Sequence, residues 1–488
     1  MWTHWLILAL YFSALGGLGI WGLHRLILLV WLRREGASDH PLTQPTSETP
    51  RVLVQLPVFN EPLVIARIID AAARLDWPHL EIQVLDDSTD ATTALAAARV
   101  QAWCQAGVRI SHIRRTDRTG FKAGALAHGL TLSSAEFVAI FDADFVPDPD
   151  FLTQMMPDLK DPQVGMVQAR WGHINRMDGW LTRIQALLLD GHFLIEHTAR
   201  FRAGCFFNFN GTAGIWRIQA IDEAGGWAHD TITEDLDLSY RAQLAGWRFV
   251  YRDDVVAPAE IPTTMRAFLT QQHRWAKGTT QTARKLVGRI ALAPIPWRVR
   301  LEAINHLCMV SAYPMALMLA VLLPPSIVAR EALFSSGLAL MDITAVMATT
   351  GTICCFYAVV LHRGGLSVAK RIWDIPLAMA LGVGCSASQS LAVFEGLVSK
   401  DATFIRTPKQ GEGRAAVARA KPTRVILTTV MALYYLYALQ WAVVSGRWAS
   451  LPFMSLFGLG FILVSLSQWL EKAHTGEVAA LGVAPATK

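Results

Sequence analysis

Charge is scarce in this sequence. Of 488 residues only 17% are Asp, Glu, Lys or Arg, while 52% are hydrophobic; a soluble chain usually carries about 25% charged residues. Cysteine is also sparse. Cys104, Cys205, Cys308, Cys354, Cys355 and Cys385 show no CxxC spacing and no neighbouring histidine clusters, which argues against a zinc site or a disulfide framework and for reduced thiols. Internal repeats and low-complexity tracts are absent. No cleavable signal peptide is expected, because the N-terminal apolar stretch is long and runs into Trp31-Leu-Arg-Arg34 without a small-residue cleavage site. The net charge of +5 does not imply nucleic-acid binding, since the Lys and Arg residues cluster beside apolar spans, as on the cytoplasmic flanks of membrane helices.

The apolar residues are concentrated at the two ends. Residues 4–32, 304–327, 334–360, 423–446 and 450–470 are runs long enough to cross a bilayer, which takes roughly 20 helical residues. The run 373–397 is weaker, containing Asp374, Pro376, Gln389 and Glu395. If the central region is cytosolic, the basic stretches 33–34, 298–300, 363–371 and 399–424 all fall inside only when 373–397 does not cross. Five spans and one interfacial helix are therefore expected, with a multi-pass protein in the plasma (inner) membrane and its catalytic region in the cytosol. A six-span layout would put the basic 399–424 loop outside.

Between the spans the period changes. Val52-Leu-Val-Gln-Leu-Pro57, Ile82-Gln-Val-Leu85, Val108-Arg-Ile-Ser-His-Ile113 and Glu136-Phe-Val-Ala-Ile-Phe141 read as strands separated by helical patterns. Strands alternating with helices predict an α/β domain with a parallel sheet covered on both faces. Ligands bind beyond the carboxyl ends of such strands, where Asp86, Asp87, Asp142 and Asp144 all fall.

The expected organisation is a first span (1–34), a linker (35–50), a catalytic domain (51–262), interfacial helices (263–303), two spans (304–360), an interfacial helix with a flap loop (361–422), two further spans (423–470) and a cytosolic tail (471–488).

Asp142 and Asp144, one residue apart after a strand, can share Mg²⁺ or Mn²⁺ through hard oxygen ligands and so hold a substrate diphosphate. An Asp-x-Asp in a solvated turn is the bland alternative, and strand-end placement argues against it. Asp86 and Asp87 suit base and ribose hydroxyls, although Asp87-Ser-Thr-Asp90 would also cap a helix. Lys122, in Gly120-Phe-Lys-Ala-Gly124, suits a phosphate. Glu234 and Asp235 form a second acid pair, with Asp235 suited to take a proton from an acceptor hydroxyl; a Thr233-capped helix start explains the pair equally well. Gln271, Arg274 and Trp275 offer an amide, a forked donor for phosphate and an indole face for a sugar ring, or alternatively an amphipathic helix with a boundary tryptophan.

As a set these motifs resemble processive family 2 glycosyltransferases such as cellulose and hyaluronan synthases. Gln83-Val-Leu-Asp-Asp-Ser-Thr-Asp90, Gly120-Phe-Lys-Ala-Gly-Ala125, Ile140-Phe-Asp-Ala-Asp-Phe145, Phe209-Asn-Gly-Thr-Ala-Gly-Ile-Trp-Arg217 and Glu223-Ala-Gly-Gly-Trp227 look like the plant cellulose-synthase-like A and C enzymes. Those make β-1,4-mannan or glucomannan, and the β-1,4-glucan backbone of xyloglucan.

The resemblance implies a cytosolic GT-A (Rossmann-like) domain between transmembrane segments, inversion at the anomeric carbon, and a polysaccharide threaded out through the spans among membrane lipids. Under it Asp235, beside Glu234, is the general base. Asp142 and Asp144 form the metal and diphosphate site, with Asp86, Asp87 and Lys122 as nucleotide contacts and Gln271, Arg274 and Trp275 as the acceptor and diphosphate wall. The donor is GDP-mannose or UDP-glucose. The flap Phe404-Ile-Arg-Thr-Pro-Lys409 departs from the Phe-x-Val-Thr-x-Lys pattern of cellulose synthases, and no regulatory domain for a cyclic dinucleotide is expected after the spans. Single transfer to a membrane lipid, giving a glycolipid, is the competing enzyme reading. A transporter or scaffold with an inert soluble domain is the non-enzymatic one.

Overall fold

The computed structural model describes residues 1–33, 49–333, 347–399 and 422–480. Its centre is a seven-stranded sheet of order β3-β2-β1-β4-β6-β5-β7. The strands are β1 (Val52–Val58), β2 (Leu80–Asp86), β3 (Ile110–Arg114), β4 (Phe137–Ile140), β5 (Val164–His173), β6 (Gly214–Arg217) and β7 (Arg248–Ala259).

The four strands expected from sequence are β1 to β4, and they pair in parallel. Successive side chains of a strand face opposite sides of its sheet, and β1 supplies both. Val52, Val54 and Leu56 pack beneath the helix Ile65–Ala73, while Leu53 joins Leu85, Leu126, Val138 and Ile140 on the other face. That double burial explains why the strands read as unbroken apolar runs.

The sheet is not wholly parallel. Strand β6 runs antiparallel to both β4 and β5. Its first residue, Gly214, lies so near the Phe209 ring and the Val167 carbonyl oxygen that a Cβ would stand 2.8 and 2.9 Å from them. The four-residue strand was below what periodicity alone can reveal. Register places Val58 beside Asp86 and Gln55 beside Ile140, so the ends carrying Asp86-Asp87 and Asp142-Ala-Asp144 lie on one edge.

Among the described residues five helical stretches are long and apolar enough to cross a membrane: Trp2–Leu32, Trp297–Leu333, Val368–Val398, Thr423–Val444 and Trp448–Lys472. This is a membrane protein. The expected run 334–360 is described only from 347, where a helical turn leads into the helix Thr352–Arg363. The weak run 373–397 forms the helix Asp374–Val398. It differs from the other four in its surroundings, because 67% of its apolar window is buried against 28–33% for theirs. Gly384 meets the Gly460 backbone, and Gly396 meets Lys277 and Thr280, at separations that leave no room for a Cβ. Small residues permit such close helix crossings.

Polar contacts tie the sheet domain to these helices. Arg200 Nε donates to Glu302 at 2.9 Å, and Glu302 also meets His24 of the first apolar helix at 2.7 Å. Arg363 pairs with Asp253 at 3.1 Å and Arg183 with Asp374 at 2.9 Å. Glu471 accepts from the Met265 and Arg266 backbone amides, at 2.6 and 3.1 Å.

Candidate active site

The edge of the sheet opens into a cavity of about 180 Å³. Asp87, Lys122, Asp142, Asp144, Glu234, Asp235, Gln271, Arg274 and Trp275 all line it. The acid pairs, about ninety positions apart in the chain, therefore share one space.

Asp86 does not line the cavity. Its carboxylate is buried and turned inward, accepting from the Ser88 amide at 2.8 Å and meeting His112 Nε2 at 3.0 Å. Burial opposes its charge, but the His112 and Ser88 bonds outweigh that and hold its pKa well below the usual carboxylate range. Asp86 thus braces the loop that carries Asp87, which lies one residue nearer the cavity. Asp87 faces the cavity and is oriented by Arg115, whose Nε and Nη2 donate at 3.0 and 2.5 Å. Arg118 stands 3.9 Å from the same carboxylate and lies over the Phe59 ring, 3.3 Å from its centre.

Lys122 enters on the first turn of the helix Phe121–Leu130. The chain turns tightly into this helix: a Cβ on Gly124, in its first turn, would collide with the Thr119 carbonyl oxygen, which accounts for that glycine. Lys122 Nζ donates to Asp142 Oδ1 at 2.5 Å and to the Gly211 carbonyl at 2.8 Å. Its ammonium therefore braces Asp142 against the Gly211 backbone inside the cavity. Burial works against its charge, but Asp142, Glu234 and Asp235 raise its pKa overall.

Asp142 is held at its amide, which donates to Thr212 Oγ1 at 2.9 Å. Asp144 is nearly buried, and its backbone carbonyl faces Arg67 Nη2 at 3.5 Å. Among the described residues no three His, Cys, Asp or Glu side chains converge as a metal cage. Two hard carboxylates suit Mg²⁺ or Mn²⁺ nonetheless, since such ions keep several waters and take substrate phosphate oxygens.

Glu234 and Asp235 open the helix Glu234–Leu244, but the Thr233 side chain does not cap it. Thr233 Oγ1 instead meets Thr282 Oγ1 at 3.2 Å, and Gly278 packs directly on Thr233. The helix Met265–Leu292 thus presses on the start of the acidic helix. Burial, then the neighbouring Asp235 charge, lifts Glu234 to about 7. Burial also raises Asp235, against the pull of Lys122 and of the Leu236 amide, which donates to Asp235 Oδ1 at 2.8 Å. Two buried carboxylates that feel each other's charge do not both ionise readily.

Gln271, Arg274 and Trp275 fall at i, i+3 and i+4 on the helix Met265–Leu292, hence on one face, and that face closes the cavity. Burial lowers the Arg274 pKa, and Glu234, Asp142, Asp235 and Asp144 partly restore it.

A second cavity, of about 320 Å³, abuts the first. Asp235, Asn210, Gln271 and Trp275 line both. From there it runs past Phe268 and His306 to Tyr313, Phe356, Tyr357 and Arg25 on the membrane helices. Sequence reasoning missed Arg115, Arg118 and Asn210. The Phe209–Arg217 segment was a usable signal for Asn210, whereas the arginines follow β3 as ordinary surface charges. The flap Phe404–Lys409 lies outside the described residues.

Residues 50–278 match the family model described as "Glycosyltransferase like family 2". Glucomannan 4-beta-mannosyltransferase 2 of Arabidopsis thaliana is 48% identical over 252 residues, covering 50% of this chain and 47% of that protein. Glucomannan 4-beta-mannosyltransferase 1 of Cyamopsis tetragonoloba is 46% identical over 248 residues, covering 49% and 47%. The chain spans about half the length of the curated relatives it matches. Among solved structures, the mannosyltransferase PcManGT from Pyrobaculum calidifontis in complex with GDP-Man and Mn²⁺ shares the fold, with a TM-score of 0.53 and 23% identity over 82% of this chain and 99% of that one.

Proposed function

We propose that this chain is an inverting membrane hexosyltransferase that moves mannose from GDP-mannose onto a growing β-1,4-linked polysaccharide and passes the product through its own spans. The observation that carries this reading is the pair of cavities meeting at Asp235. One is lined by acids and Arg274 and suits a nucleoside diphosphate sugar. The other is lined by aromatic and amide side chains, which suit sugar rings, and leads to the membrane helices. The names of the relatives favour mannose over glucose, and the neighbour's GDP-Man favours a guanine nucleotide.

In this mechanism Asp235 takes the proton of the acceptor hydroxyl as the acceptor oxygen bonds to the anomeric carbon. The bond from that carbon to the diphosphate oxygen breaks, and the electron pair leaves with the diphosphate, whose charge Arg274 meets. Asp142 and Asp144 would hold Mg²⁺ or Mn²⁺, which supplies further neutralisation of the leaving group. Lys122 keeps Asp142 in place, and burial tunes Asp235 upward, toward the range where a base works near neutral pH. The catalytic face lies in the cytosol, with the protein in the plasma (inner) membrane; basic residues flanking the helices support that side.

The test incubates membranes holding the full chain with GDP-mannose or UDP-glucose, each with Mg²⁺ or Mn²⁺, followed by linkage and size analysis. GDP-mannose should give a β-1,4-linked ladder. A single sugar on a lipid would replace this reading with glycolipid synthesis, and UDP-glucose acting alone would overturn the choice of donor.

A further inference from the structure

Asn210 stands where the two cavities join, and nothing in the mechanism above uses its side chain. It precedes Gly211, whose φ is +80° and whose backbone is so near Asp235 that a Cβ would lie 2.8 Å from Oδ2. The Asn210 carboxamide is held on three sides. Its Oδ1 is 3.0 Å from His192 Nε2 and 3.1 Å from Asn208 Nδ2, and its Nδ2 is 3.0 Å from His197 Nε2.

His192 differs from the other two in position. Asn208 and His197 are buried, whereas the His192 side chain is 26% exposed; His192 and Asn208 both line the second cavity. Its other ring nitrogen is 3.4 Å from Glu196, one turn along. Glu196 is itself buried and fixed from behind by Arg200 at 3.6 Å. All of these sit on the π-helical turn Gly191–His197 or just after it, a widened turn often found at functional sites. The ring is thus anchored at one nitrogen by a buried carboxylate and presents the other to Asn210.

We propose that His192 is a positioning residue for the acceptor: bridging Glu196 and Asn210, it fixes the carboxamide that orients the terminal sugar beside Asp235. This rests on the second cavity being the acceptor's path. Attack needs the acceptor oxygen about 3–3.5 Å from the anomeric carbon and in line. Without His192 only Asn208 holds Oδ1, and a carboxamide shifted from its pose would leave the sugar out of line and let water reach Asp235. Water would then bond through its oxygen to the anomeric carbon and give its proton to Asp235, while the diphosphate departs with the electron pair. Donor would be consumed without product.

The readout is the ratio of nucleotide released to sugar incorporated, measured on full-length protein in membranes with GDP-mannose and Mn²⁺. The wild type should give a ratio near one. His192→Ala should raise it on the order of tenfold, about the weight of one oriented hydrogen bond. His192→Gln, which restores an N–H donor, should fall between. Asn210→Ala should uncouple to the same degree, and the double variant no further, because both act through one carboxamide. A misfolded fraction lowers both quantities together and leaves the ratio unchanged. Ratios of one in both the Ala and Gln variants, or additive uncoupling in the double variant, would overturn the proposal while leaving the transferase reading intact. Absence of wild-type incorporation would sink both.

Discussion

Lys122 Nζ and Asp142 Oδ1 lie 2.5 Å apart, and the same ammonium donates to the Gly211 carbonyl beside Asp235. One cation thereby ties the Asp142-Asp144 pair to the Glu234-Asp235 pair. It lowers the pKa of Glu234 and of Asp235 and keeps four acids tolerable in one cavity.

Replacing Lys122 by Met should move the pH profile. Lys122 favours the ionised forms of Glu234 and Asp235, so its removal raises both pKa values. The base must be ionised to accept a proton, so the acid limb of kcat/KM against pH should shift to higher pH, with a fall at pH 7 of about tenfold or more. An unshifted limb would mean that Lys122 acts only on substrate.

Asp235→Asn should remove transfer by about a thousandfold or more while nucleotide-sugar binding survives, since general-base loss typically costs roughly 10²–10⁴. Isothermal titration with GDP-mannose separates binding from turnover. Full transfer by this variant would show that the base is elsewhere.

Glu234→Gln should stabilise the protein at high pH. The folded Glu234 pKa is raised from 4.5 to about 7, so the folded state holds a proton that the unfolded state gives up earlier. Stability from this group is present below about pH 4.5 and declines as pH rises to about 7. The amide removes that decline. Thermal melts in detergent should show a gain of a few degrees at pH 8 and almost none at pH 4.5, accompanied by lost activity.

Asp144→Asn should weaken the response to divalent ions. Chelation should stop the wild type, with Mn²⁺ or Mg²⁺ restoring it, and the variant should need about tenfold or more metal for half-maximal rate, since a hard cation loses one of two protein carboxylates. An unchanged metal titration would remove Asp144 from the ligand set.

Gly384→Leu should disrupt the crossing of the helices that carry Gly384 and Gly460. The Gly460 backbone leaves no space for a Cβ there, so overpacking should cost roughly 1–3 kcal/mol. Melting temperature should fall by several degrees, whereas Leu at Gly382, which has nothing within 4 Å, should be nearly silent.

The amino-acid sequence by itself determined the alternation of helices and strands, the first four strands and the strand-end position of Asp87, Asp142 and Asp144. Those features follow from local periodicity and from short motifs that keep their spacing. It also determined that Gln271, Arg274 and Trp275 share a face, because 3.6 residues per turn require it. Tertiary structure decided what depends on distant neighbours. Asp86 and Asp87 are identical in sequence terms, but one turns inward to His112 and the other faces the cavity. Lys122 was legible as a cation in a glycine-flanked segment, and only the approach of Asp142 and Gly211 made it a brace. Asn210 gained a partner in His192 because a π-helical turn carries that ring to the seam between two cavities. Hydrogen bonds of this kind join residues with no local periodicity between them, so their partners are chosen by the packed fold and not by the order of the chain.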